Sequence, residues 1–588
     1  MSRNRARAVW LAVFIWCVLF VLLLVSRSYT FRSAIVHDEG IFLYGGTAWA
    51  AGELPYRDFW DHKPPGVTLF HSIPIRLFGD SVLAVRLHEV FWLAISATIL
   101  FYVCRGHLSL GITILSLLFY CLFVSTKLVI RSGGLTEESS LTFYALSYLF
   151  ALRRKGSLGL NVFLAGLFLG LAAQFRQPFG LAIIFIAVCL LWRPEDSEVG
   201  FKRRLRLLPI LAVGAALPEI ICSGYFLMKG IWAEYFEASY LFNFLYVGGG
   251  PDALGLRDGF QKHWQMLKAT GPYLASPVFV APLLWWLPRR LKRIGVLLII
   301  AFLCDFAAIS LGGRYYEHYY VQAAVSSCLL LGMAFQALYG RMRRIVLGTE
   351  DRSSGKNVQL ELNRCRPAGA DTVRRRRWLR GMVFLHVYWC AAAAIGLTVM
   401  LTTDGIKNYV KSYKIGLEEK RRPGGEYARQ EAIATAIRMV TQPGERILLL
   451  GASPTSVYFR GQRLAGSRYF HLSPFFRRSF FKSVRNRHQD RFMSDLRKRK
   501  PVLIILAREE RQIYFAGTDV VKNSAASFLL PYLEENYVPF ESREICPRSK
   551  IRRNLRWSWY GRYCSFLIRK DKTEEVVQRV EKAEAAGL

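Results

Sequence analysis

Up to about residue 402 the chain is built from apolar runs long enough to cross a hydrocarbon layer, roughly 18–22 residues each. In lipid every backbone N–H and C=O must find its partner inside the protein, so spanning segments are helices or closed barrels. Continuous runs of this length indicate helices. They are expected at 9–25, 82–104, 108–124, 141–152, 158–173, 179–192, 207–227, 272–287, 296–311, 319–338 and 381–401, about eleven in all.

Composition agrees. Of 588 residues, 52% are hydrophobic, more than a water-soluble chain can hide. The first run follows a basic start, but it is too long for a signal peptide, lacks a small-residue cleavage site and has further runs behind it. It is expected to be a retained anchor. The net charge of +36 invites a nucleic-acid partner. The cations instead bracket the apolar runs, as topology signals do: Arg3, Arg5 and Arg7; Arg153 to Lys155; Lys202 to Arg206; Arg289 to Arg293; Arg374 to Arg377. No zinc knuckle or RNA-binding signature accompanies them, and no nucleic acid is expected.

The expected architecture is therefore a polytopic α-helical membrane protein of the inner or plasma membrane, with a soluble C-terminal α/β domain. Residues 1–402 form the membrane part, with a first outside loop at 26–80 and a basic cytoplasmic loop at 341–380. The N-terminus is expected in the cytoplasm, and an odd span count puts 403–588 on the other side. In that tail, helices at 427–440, 491–499 and 528–536 alternate with strands at 446–450, 501–507, near Ile545 and at 563–568. Gly451-Ala-Ser-Pro lacks the Gly-Lys-Ser/Thr that would make it a phosphate loop. The basic and aromatic stretch 475–482 suits contact with an anionic lipid surface. Cys546 and Cys564 are either a disulfide or two buried thiols.

Outside loops longer than a connection needs are usually functional. The first carries His37-Asp38-Glu39-Gly40 and then Gly52-Glu53-Leu54-Pro55-Tyr56-Arg57-Asp58-Phe59-Trp60-Asp61-His62-Lys63-Pro64-Pro65. Charges packed among Trp, Phe and Pro imply an ordered surface, with helices lying on the bilayer. Asp38 and Glu39 hang carboxylates just above the lipid. A later outside segment reads Gly312-Gly313-Arg314-Tyr315-Tyr316-Glu317-His318-Tyr319-Tyr320. Helical spacing there would set Arg314 and His318 on one face. An interfacial charge cluster with helix caps accounts for the same residue types.

These pieces resemble the integral-membrane glycosyltransferases of the GT-C class, above all the branch of aminoarabinose transferases and protein mannosyltransferases (families 39 and 83). The resemblance implies a GT-C-like fold and a donor sugar carried on polyprenyl phosphate. A hydroxyl acceptor on a glycolipid, polysaccharide or protein takes the sugar, with inversion, at the outer face. Such a reaction needs a general base for the acceptor proton and fixed cations for the departing phosphate. By position in the motifs, Asp38 is the base and Glu39 orients it or shares its proton. Lys63, held by Pro64-Pro65, meets the lipid phosphate. Arg314 and His318 are further phosphate ligands, and Asp61, Glu137 and Tyr315 are further substrate contacts. His62 is either a substrate contact or the hydrogen-bonded partner of Asp61. Outside the motifs, Arg176 stands at an outside turn as either a phosphate ligand or an interfacial anchor. His37, Asp38 and Glu39 admit a divalent cation without requiring one, so the cofactor stays open.

A lipid or sugar transporter or flippase is the rival. Transporters place ionisable groups near the bilayer midplane and often repeat their halves. Here the apolar runs are nearly free of charge, no repeat is visible, and the charged constellation sits in loops. That favours an enzyme.

Overall fold

A computed structural model describes residues 3–192, 200–244, 255–270, 272–346, 425–450, 455–471, 482–507, 527–540, 558–559 and 562–586, with a few positions between 410 and 418. Helices stand at every expected span within them: α1 Arg3–Arg27, α4 Val82–Arg105, α5 Leu110–Phe123, α6 Thr136–Leu152, α7 Leu158–Ala173, α8 Ile183–Leu191, α9 Leu208–Met228, α11 Pro272–Leu283, α12 Arg289–Ser310 and α13 Ala324–Val346. The segments between the spans add α2 His37–Ala50, α3 Gly66–Phe78 and α10 Leu256–Thr270. The expected span 381–401 and most of the loop 341–380 lie outside the described residues.

Five stretches are long and apolar enough to cross a membrane: Val9–Arg32, Val82–Arg105, Phe201–Met228, Arg289–Ser310 and Glu317–Met342. Shorter apolar helices accompany them, and the chain is a multi-pass membrane protein. Where lipid removes the hydrophobic drive between helices, close backbone approach replaces it. Helices α7 and α9 cross this way. A Cβ at Gly166 would overlap the Leu211 carbonyl oxygen, one at Gly170 that of Ala215, and one at Gly214 that of Phe163.

Helix α3 exposes Leu69, Ile73 and Leu77 at helical spacing on one face, an apolar stripe of the kind an interfacial helix presents. Helix α2 departs from the expectation of helices lying on the bilayer. Glu39 to Gly46 are buried, because the C-terminal unit covers the helix.

That unit contains a five-stranded sheet. Strands β1 Ile447–Leu450 and β2 Leu503–Ala507 are parallel, and β5 Arg562–Arg569 runs antiparallel to β2. The edge is β3 Tyr537–Pro539, and the short β4 Ser558–Trp559 pairs with β5. Helices α14 Glu426–Val440, α15 Ser456–Gly461, α16 Lys482–Arg499, α17 Leu530–Asn536 and α18 Thr573–Ala585 complete it. The sheet is apolar on both faces, as strands covered on both sides are. Ile447 and Leu449 enter a core shared with Ile41, Phe42 and Tyr44 of α2, while Leu448 and Leu450 enter one shared with Tyr56, Trp60 and Phe226. The alternating register of one strand thus fastens the unit to two parts of the membrane domain.

Polar ties follow the same contact. Gln430 exchanges hydrogen bonds with the backbone of Ile35 (3.0 and 2.7 Å), and Arg446 pairs with Glu53 at 2.6 Å. Arg499 donates to the Asp58 carbonyl oxygen at 3.0 Å. Much of the dense charge at 53–58 serves this docking. Cys564 lies on β5 opposite Ala507. Cys546, Ile545, Gly451-Ala-Ser-Pro and the stretch 475–481 lie outside the described residues.

Candidate active site

A cavity of about 280 Å³ opens where the first turns of α2 and α6, the loop after Trp60, the 3-10 turn Glu317–Ala323 and the C-terminal unit meet. Asp38 stands in the first turn of α2, where the helix dipole favours an anion. Its side chain is 30% exposed, open to the cavity, and its Oδ2 lies 3.9 Å from His318 Nε2. Burial works to raise the carboxyl, but Lys63, His318, His37 and Arg131 together hold it down at about 2. Asp38 is an anion in any physiological medium.

Lys63 faces the same space. Its backbone is fixed by Tyr56, whose hydroxyl donates to the Lys63 carbonyl oxygen (2.9 Å), and by the Asn243 amide on His62 O (2.8 Å). Next along, the Gly66 N–H donates to Gln174 O at 2.9 Å, and a Cβ at Gly66 would strike that oxygen. The Lys63 ammonium rests 4.4 Å from the Phe42 ring centroid, a cation–π contact. It closes no ion pair among the described residues. A carboxylate and an ammonium line one cavity without touching.

Two guanidinium groups complete the positive wall. Arg176 pairs with Glu137 at 3.0 Å, donates to Gln322 Oε1 at 3.2 Å and stacks 3.9 Å over Tyr319. Gln322 in turn donates to the buried Asp305. Arg131, in a left-handed conformation (φ 56°), reaches the cavity and pairs with Glu317 at 3.3 Å.

Glu39 is consumed elsewhere. Fully buried, it pairs with Arg86 at 2.5 Å and accepts from Ser132 Oγ (2.7 Å) and the Val36 N–H (3.2 Å). Burial pushes its carboxyl up, against Arg86 and Ser132. Beside it Arg27 makes paired hydrogen bonds to Glu138 at 3.1 and 3.2 Å, with Glu89 at 3.9 Å. These charges sit at the ends of the spans next to α2 and brace its first turn from below. From above, the Thr455 hydroxyl donates to the His37 carbonyl oxygen at 2.7 Å, and Gly40 lets it approach, since a Cβ there would lie 2.8 Å from Ser456 N.

Of the candidates read from the sequence, Asp38, Lys63, His62, Glu137, Arg176 and His318 line the cavity. Asp61 stands one layer back. Burial works to raise its carboxyl, yet His62 at 3.2 Å and Lys63 hold it well below the usual carboxylate range. Arg314 and Tyr315 do not line the cavity; both are buried behind it. The expected helix across 314–318 is absent. Gly313 (φ 62°) and Tyr315 (φ 49°) are left-handed, which ends any helical run, and the 3-10 turn begins only at Glu317. The Tyr315 ring goes to His263, edge-on at 4.9 Å, while Tyr316 and Tyr319 take the cavity wall.

Arg131, Phe42, Phe242 and His471 are cavity residues that the motifs did not single out. Arg131 precedes Ser132-Gly133-Gly134, a turn signal, but nothing local aims it at Asp38. Among the described residues no three His, Cys, Asp or Glu side chains converge as a metal site.

Residues 62–221 match the model of the dolichyl-phosphate-mannose-protein mannosyltransferase family. Two crystal structures of ArnT from Cupriavidus metallidurans superpose over the whole molecule, each at 13% identity and covering 95% of this chain and 98% of theirs. One is the apo state (TM-score 0.51) and one is bound to undecaprenyl phosphate (TM-score 0.53). No curated protein matches the chain. The likeness to the GT-C class read from the motifs is borne out, and so is the fold: a multi-span helical domain with a C-terminal α/β region.

Proposed function

We propose that the protein is a GT-C glycosyltransferase that moves one sugar from a polyprenyl-phosphate donor to a hydroxyl acceptor, with inversion, at the outer face of the membrane. The observation that carries this is the pair of opposite charges lining one cavity: a carboxylate at Asp38, which lies 3.9 Å from His318 Nε2, and an ammonium at Lys63 that closes no ion pair among the described residues. A cavity that keeps both apart and charged is suited to a reaction that makes an anion at one wall and releases a proton at the other.

The acceptor hydroxyl gives its proton to Asp38 as its oxygen attacks the anomeric carbon. The bond from that carbon to the phosphate oxygen breaks, and the polyprenyl phosphate leaves with the electron pair. Lys63, Arg131 and Arg176 stabilise the growing phosphate charge. The two arginines add their charge from within the ion pairs that hold them, and the partly dry cavity strengthens every such contact. His318 steadies Asp38. Glu39 is a positioning residue, fixing the turn that bears Asp38 through Arg86.

The C-terminal unit packs on the same end of the bundle as the first loop and the cavity. With the basic loops at the opposite end, this supports a cytoplasmic N-terminus and an outside C-terminal domain. The sugar is among those that polyprenyl phosphate carries, and the acceptor is a glycolipid, polysaccharide or protein. The transporter alternative gains no support, since the charged groups of the cavity gather at one end of the bundle.

Asp38→Asn keeps size and removes the base. Transfer from a lipid-linked donor in reconstituted membranes is expected to fall about 10²–10⁴-fold, with thermal stability and membrane insertion unchanged. Normal turnover by this variant would defeat the assignment.

A further inference from the structure

His471 belongs to the C-terminal unit, yet it lines the cavity together with His62 and Lys63. It is 3% exposed, and neither ring nitrogen has a hydrogen-bond partner among the described residues. Leaving both nitrogens unsatisfied in a buried place is costly, so such a group asks for a ligand. Aromatic contacts hold the ring: Phe470 at 4.8 Å and Trp60 at 6.1 Å between centroids. Trp60 leans on Phe242 at 4.9 Å, and Phe242 lines the cavity beside it. The phosphate-facing guanidinium groups of Arg131 and Arg176 are already committed to Glu317 and Glu137.

We propose that His471 is a sugar-binding residue, exchanging hydrogen bonds with a hydroxyl of the donor sugar while Phe242 offers that sugar an apolar face. This rests on the transfer reading above. If Lys63 holds the phosphate, the sugar is one bond away, and His471 is an electrostatic neighbour of Lys63. The imidazole is neutral: burial pushes it down to about 3, with His37, His62 and Lys63 helping and Asp61 opposing. A neutral imidazole offers one donor and one acceptor, which complements a hydroxyl and not a phosphate. The membrane domain would then recognise the carrier's phosphate, and the C-terminal domain would read its cargo.

The test uses the full-length protein in lipid nanodiscs. Binding of bare undecaprenyl phosphate is compared with binding of the same carrier bearing arabinose, mannose, galacturonate or aminoarabinose. Wild type is expected to prefer at least one glycosylated carrier over the bare one. His471→Ala should weaken that carrier about tenfold and shift the bare carrier by less than about twofold. His471→Gln, whose amide still donates and accepts, should fall between the two. Equal weakening of bare and glycosylated carriers, or no change in either, would overturn the proposal. If the alanine variant proves thermally unstable, the same comparison on the glutamine variant decides. A wild type that binds no carrier sinks the transfer reading, and this inference with it.

Discussion

Asp38 presents a difficulty that its surroundings resolve. A carboxylate held at about 2 is surely ionised but is a weak proton acceptor. After burial, the strongest influence on it is Lys63, which lowers it. The phosphate of the bound donor, a diester with one negative charge, offsets part of that field, so the base gains strength once the donor is seated, and more as the leaving phosphate gains its second charge. In the free enzyme kcat/KM should then show no acid limb from Asp38 above about pH 4. Removing the cation raises the pKa, so the residual activity of Lys63→Ala should lose its acid side at higher pH than wild type does. An unmoved limb would show that Lys63 does not set the charge on Asp38. A neighbouring residue carries a different kind of prediction. Arg86→Leu would strand Glu39 as a buried anion and should cost about 3–5 kcal/mol, measured by thermal unfolding in detergent.

At the scale of elements, the first turn of α2 is clamped between the buried charge cluster below and the C-terminal unit above. Gly40 is a point of close approach between α2 and that unit. Gly40→Ala would press a methyl group into Thr455 and Ser456. It should lower kcat at least tenfold through displacement of Asp38, with donor binding at Lys63 largely kept. Thr455→Ala removes only a hydrogen bond to His37 O and should cost about 1 kcal/mol of stability. A Gly40→Ala enzyme with unchanged kcat would show that this contact is slack. The expected helix at 314–318 failed for a related reason. Spacing alone puts Arg314 and His318 on one face, but two left-handed residues between Gly312 and Tyr316 send their side chains to different places.

For the whole molecule, the C-terminal unit is part of the fold and not an appendage. Deleting everything after residue 424 would uncover Ile41, Phe42, Tyr44, Tyr56 and Trp60 together and unpair Glu53. The truncated chain should fail to give a monodisperse membrane protein. Acid should act on the buried histidines of both parts of the molecule. Burial lowers His71 and His471 to about 3 and His488 to about 4. These rings are neutral in the folded protein and charge on unfolding, so the unfolded state binds more protons below the ordinary histidine value of about 6.5. Stability should therefore fall as pH drops from about 6.5 towards 4, by up to roughly 1.4 kcal/mol per pH unit for each such ring. His471→Gln should flatten that slope in a thermal-shift series across this range; an unchanged slope would mean the ring is hydrated.

What the chain determined by itself was whatever rests on local periodicity and composition. Apolar runs marked the described spans, alternation marked the strands β1, β2 and β5 but not β3, short motifs marked Asp38, Lys63 and His318 as candidates, and a turn marked Arg176. Helix formation in lipid is forced by the backbone's own hydrogen bonds, and so it is visible residue by residue. The tertiary structure decided which charges meet. It turned Glu39 to Arg86, withdrew Arg314 and Tyr315 from the cavity, and brought in Arg131 from a left-handed turn. It also carried His471 to the cavity that Asp38 lines, from far along the sequence. Burial and distance set those roles, and both belong to packing between segments that no stretch of sequence contains.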